Sequence, residues 1–183
     1  MDYPVKIDWA QYALYWVDER CVPHTSPESN YGEAKRVLLN SIDALTFPIN
    51  GEANPVKESE RYGQLMLSQL PVRSGFPSFD LIFLGIGTDG HTASIFPNAM
   101  HLLSCEAPCA AAVQPQSGQH RVTMTGRTLN ASKRIVFLAT GTEKQSVLLE
   151  VLGEHENAKN YPAWHVASQH NNCIWLCDEA AGG

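Results

Sequence analysis

The sequence predicts an α/β layered domain: a mostly parallel, Rossmann-like sheet in three layers, flanked by helices. Two observations carry the prediction. Four short apolar runs, Tyr12 to Val17 (YALYWV), Phe79 to Leu84 (FDLIFL), Ile135 to Ala139 (IVFLA) and Cys173 to Cys177 (CIWLC), are nearly continuous and rich in aromatic and branched residues. Such runs suit strands covered on both faces, as in a parallel sheet. Between them lie apolar stripes at helical spacing, and strands alternating with helices specify the layered α/β class.

The first helical pattern begins at Asn30 and Glu33, which resemble a capping arrangement. Tyr31, Ala34, Val37, Leu38, Ile42 and Leu45 then fall on one stripe. A second pattern covers Lys57 to Leu70, with Tyr62, Leu65, Met66 and Leu70 spaced for one face. A third follows the Gly141 turn, from Glu143 to Leu152. Phe47 to Pro55, with its Asn50-Gly51 pair and two prolines, reads as a surface connection, and Gln114 to Gln119 as another loop. Arg121 to Thr125 alternates like a half-buried strand.

With 183 residues, 44% apolar and 17% charged, the chain is expected to form one domain over residues 1–183. A domain of this length buries about 70% of the surface that its unfolded form exposes. The net charge of −6, without a Lys/Arg cluster, argues against a nucleic-acid partner. A small anionic molecule stays compatible, since a few cations or backbone N–H groups suffice to bind it. No apolar run approaches the ~20 residues that cross a bilayer, and MDYPVKIDW lacks the basic and apolar parts of a secretory signal, so the expected location is cytoplasmic. Five cysteines, an odd number, fit that setting better than a disulfide framework. Cys105, Cys109, Cys173, Cys177 and His101 lack the tight spacing of a structural zinc site, so no metal is expected and the thiols are expected to be buried.

Two places carry chemistry. Gly85-x-Gly87-x-x-Gly90 has the glycine spacing of a dinucleotide turn. A nucleotide site also requires a long helix after the glycines and then a strand with an acidic residue, yet Pro97 cuts short any helix begun at His91. The alternative is a turn whose glycines allow positive φ and close backbone approach, delivering His91 at the strand's carboxyl end beside Asp89. A carboxylate that orients an imidazole is general-base equipment. The second place is WVDERCVP, where Asp18, Glu19 and Arg20 stand at the carboxyl end of a strand, the usual position of an α/β ligand site. Arg20 offers a planar fork for phosphate or carboxylate, while a solvated turn is the bland reading of the same residues. Ser29 and Asn30 are open between helix capping and substrate contact.

Taken together, IDWAQYALYWVDERCVPHTSPESNYGEAKRVLL, LIFLGIGTDGHTASIFP and HRVTMTGRTLNASKRIVFLATGTEK resemble, in order and spacing, the 6-phosphogluconolactonases of the pentose phosphate pathway. WLCDEAA is similar to the family's last strand. The same fold serves glucosamine-6-phosphate deaminases, which carry a tyrosine after their Asp-Glu pair and a Glu five residues beyond the histidine. Here those positions hold Arg20 and Phe96. The resemblance therefore implies hydrolysis of 6-phospho-D-glucono-1,5-lactone, without metal or cofactor. It implies His91 as the base acting on water, Asp89 as its orienting carboxylate, and Asp18, Arg20, Ser29, Asn30 and Arg121 near the substrate. Gly87 and Gly90 are the candidates for oxyanion donors. The weaker readings are a non-catalytic sugar-phosphate-binding relative and a deaminase-like isomerase.

Two departures from the family accompany the match. The family normally opens with another strand and a Ser/Gly-rich turn, whereas Met1 stands just before the segment similar to its second strand. An unpaired sheet edge and self-association through it are the expected consequences. The family also tends to place a lysine before the arginine of RVTMT, and Gln114 to His120 contains none, leaving His120 and Arg121 as the basic residues there.

Overall fold

The computed structural model describes residues 7–153 and 155–183. The first apolar run is divided by the structure. Strand β1 covers Ala13–Tyr15, and after a break at Trp16 and Val17 the chain enters β2, Asp18–Arg20, which belongs to a different sheet. Trp16 and Val17 are turned aside by specific pairings. The Trp16 N–H donates to the Tyr62 hydroxyl (2.9 Å), and the Val17 carbonyl accepts from the Met124 N–H (2.7 Å).

Helix α1 covers only Asn30–Val37, and a 3-10 turn follows over Leu39–Ser41. The stripe expected to run on to Leu45 is therefore interrupted, and Val37 is 69% exposed. Leu45 instead starts strand β3, Leu45–Phe47, which pairs parallel with β1 through the Leu45 N–H and the Tyr12 carbonyl (3.1 Å). Sheet pairing has overridden a local helical pattern, as tertiary context commonly does. Stacking of Tyr15 on Phe47, ring centroids 4.6 Å apart, secures the register.

Helix α2, Pro55–Gln69, matches its expected stripe. Asn54 caps it by accepting from the Val56 and Lys57 N–H groups, and Pro55 takes the first-turn position where no donor is needed. Tyr62 and Met66 are fully buried, each contributing about 1.5–3 kcal/mol of apolar burial. The short ribbon β4 (Val72–Arg73) and β5 (Phe76–Pro77) then leads into β6, Ile82–Gly85. After the glycine turn and a 3-10 stretch over Pro97–Leu103 come β7 (Cys109–Val113), β8 (His120–Met124) and the short helix α3 (Gly126–Asn130). The chain closes with β9 (Ile135–Ala139), α4 (Gln145–Leu152), α5 (Pro162–Gln169), β10 (Cys173–Cys177) and α6 (Glu179–Gly182).

The strands form a parallel sheet β6-β9-β10, a parallel pair β1-β3, an antiparallel sheet β2-β8-β7 and the β4-β5 ribbon. The α/β class is as expected, but the parallel strands fall into two separate sheets. The expectation of strands covered on both faces holds for one side only, since Phe83, Leu138, Ile174 and Leu176 are exposed while Ile82, Leu84, Ile135 and Phe137 are buried. Phe137 stacks on Trp175 at 4.2 Å within the core. All five cysteines are free, yet only Cys109 is fully buried and Cys177 is exposed, which corrects the uniform burial expected. Among the described residues, no three His, Cys, Asp or Glu side chains gather in a metal-holding arrangement, and no helix is long and apolar enough to cross a membrane.

Candidate active site

The carboxyl end of β6 and the turn after it, β2, Arg121 near the start of β8 and Lys144 in the turn after β9 surround a cavity of about 360 Å³. Asp18, Arg20, Asn30, Gly87, His91 and Arg121 line it, six of the residues singled out from the sequence.

His91 reaches this wall because of the turn after β6. The Gly87 N–H donates to the His91 carbonyl (2.8 Å), and the Gly90 N–H to the Gly87 carbonyl (2.9 Å), which curls the segment back on itself. Gly90 sits at φ +77°, the left-handed region that favours glycine, against the Tyr161 ring. A Cβ on Gly87 would collide with the His91 ring and the Asp89 carboxylate, so that position must be glycine for the pair to meet. The pair does meet: His91 Nδ1 lies 2.5 Å from Asp89 Oδ1, which also accepts from the His91 N–H (3.1 Å). Burial pushes the Asp89 carboxyl up, but the bonds from the His91 ring and N–H and the attraction of the imidazole outweigh it, leaving its pKa below the ordinary value.

Both glycine N–H groups expected to face an oxyanion are thus engaged within the turn. Gly90 and Asp89 do not line the cavity, and Ser29 does not either. The Ser29 hydroxyl is consumed by structure: it donates to Glu19 Oε2 (3.0 Å) and accepts from the Gly32 N–H (2.9 Å) as the cap of α1. Asn30, by contrast, combines both readings. It begins α1, donates from its amide to the Asp18 carbonyl (3.0 Å), and still borders the cavity.

After His91 the chain is clamped rather than helical. The Thr92 hydroxyl donates to the Gly85 carbonyl (2.9 Å), the Ser94 N–H to Thr123 Oγ1 (3.1 Å), and the Ser94 hydroxyl to Asp18 Oδ2 (2.6 Å). Ala93, between these anchors, is held at φ +51°, a strain of about 1–3 kcal/mol that persists because its neighbours are fixed. No long helix follows the glycines, so the peptide geometry of a dinucleotide site is absent from this turn. Phe96, five residues beyond His91, packs its ring 4.8 Å from that of His91.

The opposite wall is cationic. Arg20 Nη1 donates to the Glu28 carbonyl (2.5 Å), which aims the side chain along the cavity. Arg121, opposite Arg20 in the β2-β8 register, has buried Nε and Nη1 atoms without a hydrogen-bond partner. Burial and the neighbouring Arg20 charge lower its pKa, opposed by Asp18 and Glu28. Beneath both, Glu19 is almost fully buried and accepts from the Arg20, Asn30 and Tyr31 N–H groups and from Ser29. Asp18 is half-buried at the cavity wall, and desolvation raises its carboxyl above the ordinary value despite the Ser94 bond and the attraction of Arg20 and Arg121.

Lys144 and Gln114 also line the cavity and were not singled out from the sequence as site residues. Lys144 ends the 3-10 turn Thr142–Lys144 just beyond β9, and it was hidden inside the expected helix from Glu143. The signal that could have found it is the rule that α/β ligands sit beyond strand carboxyl ends. Gln114 opens the loop in which the family tends to carry lysine, whereas His120 does not border the cavity.

The fold and this site define a layered α/β protein with an imidazole–carboxylate pair facing cations across a small cavity. Residues 1–175 match the family model described as glucosamine-6-phosphate isomerases/6-phosphogluconolactonase. A 6-phosphogluconolactonase of Treponema pallidum is 37% identical over 161 residues, 86% of this chain and 67% of the relative. One of Haemophilus influenzae is 35% identical, over 98% of this chain and 76% of the relative. The crystal structure of a devB protein superposes with a TM-score of 0.88 at 37% identity, over 94% of this chain and 74% of that one. The chain belongs to the glucosamine-6-phosphate isomerase/6-phosphogluconolactonase family.

Proposed function

We propose that this chain hydrolyses 6-phospho-D-glucono-1,5-lactone to 6-phosphogluconate, with His91 as general base. The observation that carries the assignment of the base is the 2.5 Å contact between His91 Nδ1 and Asp89 Oδ1 at the edge of a cavity that three cations border. The lactonase names of the Treponema pallidum and Haemophilus influenzae relatives support the substrate.

With Nδ1–H donating to the Asp89 carboxylate, the lone pair of Nε2 is free to accept a proton from water. The water oxygen bonds to the lactone carbonyl carbon, and the proton passes to Nε2. When the tetrahedral intermediate collapses, the ring C–O bond breaks and the ring oxygen takes that proton, giving a hydroxyl and the free acid. An activated ester is within reach of a positioned base that supplies about 10²–10⁴-fold. Arg20, Arg121 and Lys144 supply the charge that an anionic sugar phosphate requires, and Arg121 has unused donors to offer it. Five residues beyond His91 stands the apolar Phe96 in place of a glutamate, which favours hydrolysis over deaminase-type isomerisation.

The test is the rate at which purified protein removes the phosphorylated lactone above its spontaneous hydrolysis. His91→Asn should lower kcat about 10²–10⁴-fold. A His91→Asn rate equal to that of the parent would remove the base from its role. Binding of 6-phosphogluconate by the parent with no turnover would leave a sugar-phosphate-binding module in place of an enzyme.

A further inference from the structure

The peptide that joins Gly90 to His91 is pinned at both ends. Its carbonyl, on Gly90, accepts from the Ala163 N–H (3.0 Å), and its N–H, on His91, donates to Asp89 Oδ1 (3.1 Å). The same carboxylate oxygen takes the ring nitrogen Nδ1 of His91 at 2.5 Å. A peptide is a rigid plane, so its C=O and N–H turn together. Any rotation that frees the Gly90 carbonyl from Ala163 therefore swings the His91 N–H away from Asp89 and opens the imidazole–carboxylate contact. Gly90, at φ +77° and without a Cβ, offers little resistance of its own to such a rotation.

The resistance comes from outside the turn. Tyr161 lays its ring against Gly90, so close that a Cβ there would fall 2.4 Å from the ring atoms Cγ and Cδ1. Tyr161 is itself held at three points. Its N–H donates to the Ala158 carbonyl (2.9 Å), its carbonyl accepts from the Trp164 N–H (3.1 Å), and its hydroxyl donates to Glu150 Oε2 on α4 (2.6 Å). The bond to that carboxylate pushes the phenol above its ordinary value, so the hydroxyl stays a donor at neutral pH. Pro162 then fixes the first turn of α5, and the fully buried Ala163 in that turn has the N–H, without a partner inside the helix, that the Gly90 carbonyl takes up. Neither Tyr161 nor Glu150 borders the active-site cavity, so any effect they have on the reaction passes through the turn.

We propose that Tyr161, anchored by Glu150, is a positioning residue for His91: its ring, with the first turn of α5 behind it, holds the Gly90–His91 peptide in the orientation that keeps the imidazole on Asp89. The consequence for catalysis rests on His91 being the general base. The geometry of the His91–Asp89 pair does not, and it is measured without any lactone. A base displaced by about 1 Å loses on the order of 100-fold in rate. The cations that bind the anion stay in place, so the signature is a fall in kcat with KM little changed. A residue that only filled space would lower stability and leave both the pair and kcat intact.

The experiment is an NMR titration of the Asp89 carboxyl in the ligand-free protein, followed by steady-state kinetics, for the parent, Tyr161→Ala, Tyr161→Phe and Glu150→Ala. Burial pushes that carboxyl up, but in the parent the bonds from the His91 ring and N–H keep it below its ordinary value. Tyr161→Ala should let it rise, and should lower kcat about 10- to 100-fold with KM within about twofold of the parent. Tyr161→Phe, which keeps the ring on Gly90, should recover most of both. Glu150→Ala, a change on α4 away from the turn, should move both readings in the same direction by less, and it decides the matter if Tyr161→Ala does not fold. An Asp89 titration that stays at the parent's value in the folded variants overturns the proposal. So does one that moves while kcat, in an active parent, is unchanged. A parent without turnover whose Asp89 still responds to Tyr161→Ala overturns His91 as the base and leaves the positioning of the pair standing.

Discussion

The Ser94 hydroxyl donates a 2.6 Å hydrogen bond to Asp18 Oδ2, tying the turn that carries His91 to the first residue of β2 in the neighbouring sheet. Seventy-six residues apart in the chain, these two side chains fix the distance between the imidazole and the cationic wall. Ser94 is buried and so cannot turn to water for a replacement partner, while Asp18 is half-buried at the cavity wall. Ser94→Ala removes a hydrogen bond to a carboxylate, which costs about 1.5–3 kcal/mol. It should lower the denaturation midpoint accordingly, and it should lower kcat more than it raises KM, because the base is displaced while the cations stay in place. An urea titration alongside steady-state kinetics reads both effects. Equal stability with equal kcat would show that the turn holds His91 without this link.

Asp18 itself yields a pH-dependent prediction. Burial is the largest influence on it and raises its carboxyl above the ordinary value, with the Ser94 bond and the two arginines only partly opposing. Folding therefore favours the protonated form. The penalty is absent below the ordinary carboxylate pKa, grows from there up to the raised folded value, and is fully present above it. Asp18→Asn, which cannot ionise, should raise Tm at pH 7 and match the parent in acid, while activity falls with the lost cavity carboxylate. A Tm difference that stayed constant across this range would rule out desolvation as its source.

Much of this site was legible before any coordinates because turn and strand chemistry are local. Glycine at 87 and 90, followed by His91, specifies a tight turn at the end of an apolar run, and the contacts of Gly87 with His91 and Asp89 explain why. WVDERCVP located the cationic wall, but Asp18, Glu19 and Arg20 form strand β2 itself and do not stand beyond a strand's carboxyl end as expected. Ser29 was ambiguous since capping and ligand contact draw on the same hydroxyl, and Glu19 settles the matter by accepting that proton. Leu45 was misread where a helical pattern overlapped a strand fixed by long-range pairing, and Lys144 because a local 3-10 turn precedes the helix expected from Glu143. The break between β1 and β2 was invisible for a related reason, as it depends on Tyr62 and Met124, both distant in sequence.

Arg121 separates affinity from stability. Its Nε and Nη1 donors are buried without a partner and face a second guanidinium, so the folded protein gains little from it. Removing an unsatisfied polar group and keeping its apolar stem can be neutral or stabilising. Arg121→Met should leave Tm unchanged or higher, and should raise KM for the phosphorylated lactone at least tenfold, with the loss of one charged hydrogen bond worth about 1.5–3 kcal/mol. Inorganic phosphate should raise the parent's Tm and not that of the variant, a shift that differential scanning calorimetry detects directly. A variant with the parent's KM would place the anion elsewhere in the cavity.

Glu19 makes the opposite prediction. Its carboxylate receives the Ser29 hydroxyl and the N–H groups of Arg20, Asn30 and Tyr31, at distances from 2.7 to 3.0 Å. One buried side chain thereby joins the end of β2 to the first turn of α1, where free N–H groups and the helix dipole favour a negative charge. Glu19→Ala strands these donors in a site that water does not reach, and about 1–3 kcal/mol for each unsatisfied group exceeds a large part of a domain's total stability. The variant should unfold at a much lower urea concentration than the parent. Glu19→Gln, which keeps an acceptor oxygen and the side-chain shape, should recover part of the loss. In the Gln variant the position of Arg20 is the sensitive element, so KM should rise while kcat stays near that of the parent. If Glu19→Ala melted with the parent, the link between β2 and α1 would rest on other contacts, and the aim of Arg20 would have to come from its bond to the Glu28 carbonyl alone.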